Sequence, residues 1–132
     1  MSPEKRQEIL KSVFSKYLDQ TEPQLECQEG WLDIIGELDK KITKLAPDYK
    51  ITHIRQRHGV LNFDVTEVSE DVITAVYDHI ADAEDQSMHI CEVCGDYGKE
   101  GVLDEIWSIR CPSCAPNGWQ LWEVIKDTYG LD

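Results

Sequence analysis

Residues 91–114 read CEVCGDYGKEGVLDEIWSIRCPSC, two Cys-x-x-Cys pairs separated by sixteen residues. Two residues between cysteines let both thiolates of a pair face one ion from a tight turn. Two such turns, joined by a loop long enough to form a hairpin, complete a tetrahedron. A gap of this length between the pairs is the spacing of a zinc ribbon. Gly95 follows Cys94, where a positive φ lets backbone N–H groups point at sulfur, and Pro112 presets the second turn. Cys91, Cys94, Cys111 and Cys114 are therefore predicted to hold one structural Zn2+. Four thiolates close the coordination sphere and leave no position to activate water. The expected role is folding, since structural zinc supplies about 10–16 kcal/mol of apparent binding energy in small zinc peptides.

Rival uses of the cysteines fit less well. A thioredoxin-like pair needs a βαβ surrounding, which neither pair has. Iron–sulfur ligation by four cysteines usually shows other spacings. A zinc deaminase needs H-x-E and P-C-x-x-C, whereas Pro112 follows Cys111 and no H-x-E occurs. His89, two residues before Cys91, is a ligand only if one cysteine is not. Cys27 stands apart in sequence and reads as a small half-buried residue without a basic neighbour to activate it.

On the N-terminal side, Val60 to Val65 alternates, with Leu61, Phe63 and Val65 on one side and Asn62 and Asp64 on the other, as a half-buried strand does. Ile51 and Ile54 mark a less regular strand before it, and His58-Gly59 supplies the turn of a β-hairpin. Two helices precede the hairpin. Ser2-Pro3-Glu4 is a helix start, followed by Ile9, Leu10, Val13, Phe14, Tyr17 and Leu18 at helical spacing. Trp31, Ile34, Ile35, Leu38, Ile42 and Leu45 form the face of the second, while Thr21 to Gly30 reads as a connection. After the hairpin, Ser69 caps a third helix opening with Glu70-Asp71, with Val72, Ile73, Val76, Ile80 and Ala83 inside. A strand is expected at Ile106 to Ile109 and a last helix at Trp119 to Tyr129, stopped by Gly130.

The predicted class is α+β: helices packed on a β-hairpin, a zinc-ribbon-like lobe and a C-terminal helix. Residues 1–89 form the body, and residues 90–132 form the lobe with a helix packing back, in one compact unit. A chain of 132 residues with 41% hydrophobic content suits that size. No apolar run reaches the length of a membrane span, and the start MSPEKRQEIL has no apolar signal core. A cytoplasmic protein without membrane partners is expected.

The net charge is −13 and unevenly spread. Residues 39–58 carry +4, including Lys50, Arg55 and Arg57, while residues 64–105 carry −12. Generic duplex DNA is repelled by the acidic stretch, because non-specific binding neutralises phosphates with cations. Its carboxylates, with Asp78, Asp82, Glu84, Asp85, Glu92 and Asp96 foremost, are candidate contacts for a protein partner. Trp119 is a candidate anchor, since tryptophan is enriched at binding hot spots. Trp31 and Trp122 fall on helical apolar faces as core, and Trp107 is placed to cover the metal. Lys50, Arg55 and Arg57 are the candidates for nucleic-acid binding, the alternative reading. Enzymatic use of His53, His58 or His79 lacks any legible set of nucleophile, base and orienter.

Three segments, CQEGWLDIIGELDKKI (27–42), HGVLNFDV (58–65) and AEDQSMHICEVCG (83–95), followed by the later Cys-x-x-Cys, resemble a family of small uncharacterised proteins encoded by bacteriophages and prophages. In that family a Gly-Trp helix, an F-G-x-L-R-F-like strand and an A-E-x-x-S-x-x-x-C-x-x-C-G zinc segment come in this order. The resemblance spans about residues 26–115. His58-Gly59 replaces an aromatic-Gly pair and Asn62 an arginine. It implies a zinc lobe and a phage-encoded protein in the cytoplasm of a bacterial host. The expected function is non-enzymatic: binding a host or phage protein, as a takeover or anti-defence inhibitor that presents carboxylates where phosphates would sit.

Overall fold

The computed structural model describes residues 1–130. The last two positions of the expected 90–132 lobe lie outside the described residues. The elements are α1 (Pro3–Ser15), a 310 turn (Glu29–Trp31), α2 (Leu32–Leu45), β1 (Lys50–Arg57), β2 (Val60–Thr66), α3 (Glu70–Ser87), β3 (Lys99–Leu103), β4 (Ile106–Arg110), β5 (Gln120–Leu121) and α4 (Trp122–Tyr129). The predicted α+β arrangement of helices, hairpin, cysteine lobe and C-terminal helix is present.

The core of the body gathers around α2, whose Ile35, Leu38 and Ile42 meet Val13 of α1, Ile51, Ile54, Leu61 and Phe63 of the hairpin, and Val76 and Ile80 of α3. Each large side chain fully removed from water contributes about 1.5–3 kcal/mol. Ser2 caps α1 by accepting from the Lys5 amide at 3.2 Å, with Pro3 at the first helical position. Trp31, expected on the α2 face, sits in the 310 turn just ahead of it and is fully buried.

β1 and β2 pair antiparallel, with Ile54 opposite Phe63 and Arg55 opposite Asn62. A register shift between Ile51 and His53 brings Ile51 and Ile54, three positions apart, to the same buried side. That bulge is why β1 does not alternate strictly in sequence. His58 and Gly59 have φ of 55° and 85°, a two-residue turn with both central residues left-handed.

Tyr17 and Leu18, expected on the face of the first helix, lie beyond its end at Ser15, and together with the expected connection they strap the outer edge of β1. Ile51 donates to Lys16 and Leu18 to Ile51; farther along, Glu26 donates to Ile54 and Gln56 to Glu26, all at 2.8–3.0 Å. Peptide groups of an unpaired strand seek partners, and this segment supplies them.

One charged cluster is internal. Asp39 of α2 is buried and accepts from Ser12 Oγ at 2.7 Å, Lys16 Nζ at 2.6 Å and Tyr49 Oη at 2.6 Å. Burial opposes ionisation of its carboxyl, but these donors outweigh it and hold its pKa below the usual range. Asp39 is thus a structural tie between α1, α2 and the loop into β1.

In the lobe, β4, β3 and β5 form an antiparallel sheet in that order. β3 and β4 form the hairpin expected between the cysteine pairs, of which the sequence places only the second strand, and the last helix is shorter than expected. Residues 120 and 121 pair with β3 at Val102 and Gly101, so the helix begins at Trp122 and Trp119 lies in a loop. Gly130, at φ 66°, closes α4 as predicted.

Candidate metal centre

Two turns meet at one end of the β3–β4 hairpin. In the first, the Gly95 amide donates to the Cys91 carbonyl at 2.9 Å, with Gly95 at φ 85°. In the second, the Cys114 and Ala115 amides both donate to the Cys111 carbonyl at 3.1 Å. Between them the sixteen-residue gap folds as two five-residue strands around Asp104-Glu105, with Lys99 opposite Arg110. That register sets Cys111 beside the start of β3, and the spacing of the pairs is thereby converted into proximity. The Sγ atoms of Cys91, Cys94, Cys111 and Cys114 all lie within 4.8 Å of one another, and those of Cys94 and Cys111 are 3.5 Å apart. Sulfurs around a tetrahedral ion with bonds of about 2.3 Å stand about 3.8 Å apart, so the donor set fits one metal ion.

The electrostatics of the thiols fit the same conclusion. Burial opposes ionisation of Cys91, but amides of Cys94, Cys111 and Val93 turn toward its sulfur and bring its pKa down to about 7. Cys114 is pushed up to about 12, first by its contact with Cys111 and then by burial. The Asp96 amide favours the Cys94 thiolate, but burial and the sulfurs of Cys111 and Cys91 outweigh it and raise its pKa as well. Four thiolates this close repel one another, and a bound cation is what lets all four ionise. Cys91 and Cys111 are buried, Cys114 is half-buried and Cys94 exposed, so the centre sits at the surface with its inner half embedded.

The body grips the first turn. The Gly30 amide donates to the Glu92 carbonyl at 2.7 Å, and Trp31 Nε1 donates to the Ile90 carbonyl at 2.9 Å. A Cβ on Gly30 would collide with the Cys91 carbonyl and the Glu92 backbone, so only glycine allows this approach. From the hairpin, Gln56 Nε2 donates to Glu92 Oε1 and to the Trp107 carbonyl, each at 3.0 Å. Gly30, Trp31 and Gln56 are supports that residue-type reasoning missed. The adjacency of Gly-Trp at the head of a helix was visible, but its purpose needs the lobe in place.

Several expectations are corrected. Glu92 is not a surface carboxylate: it is 3% exposed and its amide donates to Ile109 at 3.0 Å. Its place between two cysteines of the cluster points it inward, where the hairpin meets the lobe. Glu84 is half-buried, and its Oε2 accepts from the Phe63 amide at 3.3 Å. Trp107, expected to cover the metal, packs edge-on against Trp122 at 5.2 Å and beneath the Gly59 turn, 3.1 Å from where a Cβ there would be. Trp119 is half-buried, its ring over Gly101 and its Nε1 donating to Ser108 Oγ at 3.1 Å.

Asp78, Asp82, Asp85 and Asp96 are exposed, and the first three recur at helical spacing on α3. Of the basic candidates, Lys50 is half-buried and Arg57 exposed, while Arg55 Nε donates to Asn62 Oδ1 at 2.8 Å and its guanidinium stands 3.6 Å from Asp64. His53, His58 and His89 are exposed, and His79 is half-buried. None of the histidines joins the cysteine cluster. Cys27 is half-buried, and burial pushes its thiol up to about 12, with Glu92 and Glu29 adding to the effect. No helix among the described residues is long and apolar enough to cross a membrane. In comparisons with known proteins, no family model, curated protein or solved structure matches the chain.

Proposed function

We propose that the cysteine cluster holds one structural zinc ion and that the protein is a non-enzymatic interaction protein, phage-encoded and acting in the bacterial cytoplasm. Its acidic face would engage a basic surface of a host or phage protein, in the manner of a nucleic-acid mimic. The observation that carries this reading is the row Asp71, Asp78, Asp82 and Asp85 along the exposed side of α3: among the described residues, none of the four forms an ion pair. Acidic side chains in the open usually only solvate a protein, but a one-sided row without counter-charges also steers a cationic partner. Thiolates are soft ligands and a closed set of four suits zinc, whose task is then to keep the lobe folded. Binding of nucleic acid through Lys50, Arg55 and Arg57 has less support, because Arg55 is committed to Asn62 and Asp64.

The test is affinity capture from bacterial lysate with the zinc-loaded protein and with Asp78, Asp82 and Asp85 all changed to Asn. A partner retained at low salt, released at high salt and lost with the triple variant supports the reading. Capture that is insensitive to both overturns it, and a mobility shift of DNA or RNA abolished by Lys50, Arg55 and Arg57 to Ala favours the alternative.

A further inference from the structure

A cleft of about 480 Å3 lies where the strap and the hairpin face the lobe. Two charged residues of opposite sign line it without meeting. Glu92 is 3% exposed, accepts from the neutral Gln56 amide and has no ion pair among the described residues. Arg110 has a buried Nε with no hydrogen-bond partner, and its guanidinium forms no ion pair among the described residues. Buried polar groups in folded proteins are normally satisfied, so the orphaned Arg110 Nε calls for an explanation. Glu26 and Asp104, both exposed, add negative charge to the lining. The apolar part includes Trp119 and Ile106, the latter 68% exposed.

We infer that this cleft is a docking site for an extended segment of a partner protein, one that sets a Lys or Arg side chain against Glu92 and a main-chain carbonyl against Arg110. The occupant follows from the lining. Three carboxylates against one guanidinium favour a cationic ligand over an anionic one. The aliphatic stem of Lys or Arg suits a wall of Trp119 and Ile106, since these side chains pack their stems on apolar surface while the head seeks polar partners. A carbonyl at the outer face of the Arg110 guanidinium brings no second negative charge beside Glu92. The inference rests on the reading of the protein as a binder of basic partners and names where one contact of that partner is made.

The test is a titration of the zinc-loaded, 15N-labelled full chain with acetyl-Ala-Ala-Xaa-Ala-Ala-amide, where Xaa is Arg, Lys or norleucine, following the Trp119 indole and Gln56 side-chain amide resonances. The Arg and Lys peptides are expected to give saturable shifts, with norleucine weaker by about tenfold because it keeps the stem and lacks the charge. Glu92→Gln is expected to weaken the Arg peptide by about tenfold. Should that variant fail to fold, Asp104→Asn and Ile106→Ser, both at exposed positions, are each expected to weaken it by about threefold. The combined Asn variant of Asp78, Asp82 and Asp85 leaves peptide binding unchanged. Equal binding of norleucine, absence of shifts at both probes, or indifference to these cleft substitutions overturns the inference. So do shifts produced by octathymidylate instead of peptide, or by raising protein concentration alone, which point to nucleic acid or a second copy as occupant. If the peptides fail while lysate capture still depends on the α3 row, the cleft is wrong and the acidic-surface reading stands.

Discussion

Trp31 donates from its indole Nε1 to the carbonyl of Ile90 at 2.9 Å across fifty-nine positions of sequence, one residue short of Cys91. The indole is itself fully buried in the core of the body. The same few atoms therefore belong to the hydrophobic core and to the frame of the cysteine cluster.

Gly30→Ala forces a methyl group into the Cys91 carbonyl. Overpacking of this kind costs about 1–3 kcal/mol, and the backbone on both sides leaves little room to yield. Trp31→Phe removes the donor and strands the Ile90 carbonyl, costing about 1–3 kcal/mol beyond lost packing. Both variants are expected to unfold at lower urea and to lose zinc faster to a chromogenic chelator. A variant that loses stability yet keeps metal as tightly as the native chain would contradict the coupling.

Metal analysis should find one zinc per chain, and Ser at any of Cys91, Cys94, Cys111 or Cys114 should abolish it. Chelation is expected to disorder the lobe, seen as a change in the emission of Trp107, Trp119 and Trp122, while the helical signal of α1 to α3 largely persists. Ligands must be deprotonated to bind, so affinity falls as pH is lowered. An iron chromophore would refute the zinc assignment.

Asp39 gives a pH dependence with a definite sign. Its carboxyl has a lowered pKa in the folded chain, so the folded state binds fewer protons than the unfolded one below neutrality. Its contribution is complete above the unfolded value of about 3.9 and is lost as pH falls through the lowered folded value. Asp39→Asn leaves Lys16 without its carboxylate and is expected to cost about 3 kcal/mol at pH 7. Urea midpoints between pH 2 and 7 should show a shallower acid slope for the variant. Parallel slopes would remove Asp39 as the source.

Both two-residue hairpin turns place bulky residues in left-handed backbone: His58 at φ 55°, and Asp104 and Glu105 at φ 50° and 66°. Left-handed backbone costs roughly 1–2 kcal/mol for residues with a Cβ, least for Asn and Asp. Glu105→Gly should therefore stabilise the lobe by about 1 kcal/mol in spite of the added flexibility of the unfolded chain. Thermal unfolding of the zinc-loaded protein checks the direction, and a fall in midpoint would mean that Glu105 makes a compensating interaction.

The cysteine positions were legible because ligand chemistry and turn geometry fix their spacing, and the helical faces were legible because Ile34, Ile35, Leu38 and Ile42 repeat with the period of a helix. What escaped was decided by docking. Glu92 looks like any exposed acid beside a cysteine until Gln56 and Gly30 arrive from segments far away in sequence. Trp107 was placed over the metal because it lies in the same hairpin, but the register Val102 to Trp107 and the position of the Gly59 turn give it a different neighbour. Trp119 and Leu121 extend the apolar pattern of the last helix on paper, yet pairing of residues 120 and 121 with β3 prevails over local propensity.

The strap along β1 has a bearing on company as well as on stability. With Lys16, Leu18 and Glu26 occupying peptide groups of that strand, and with the Trp107 and Ile109 carbonyls of β4 taken by Gln56 and Glu92, much of the main chain that would invite another strand is already engaged. Sheet-edge addition, the least selective way for proteins to associate, is discouraged at these two strands. What they leave to a visitor is chiefly side-chain chemistry, which discriminates by charge and shape where backbone pairing would accept almost any extended chain.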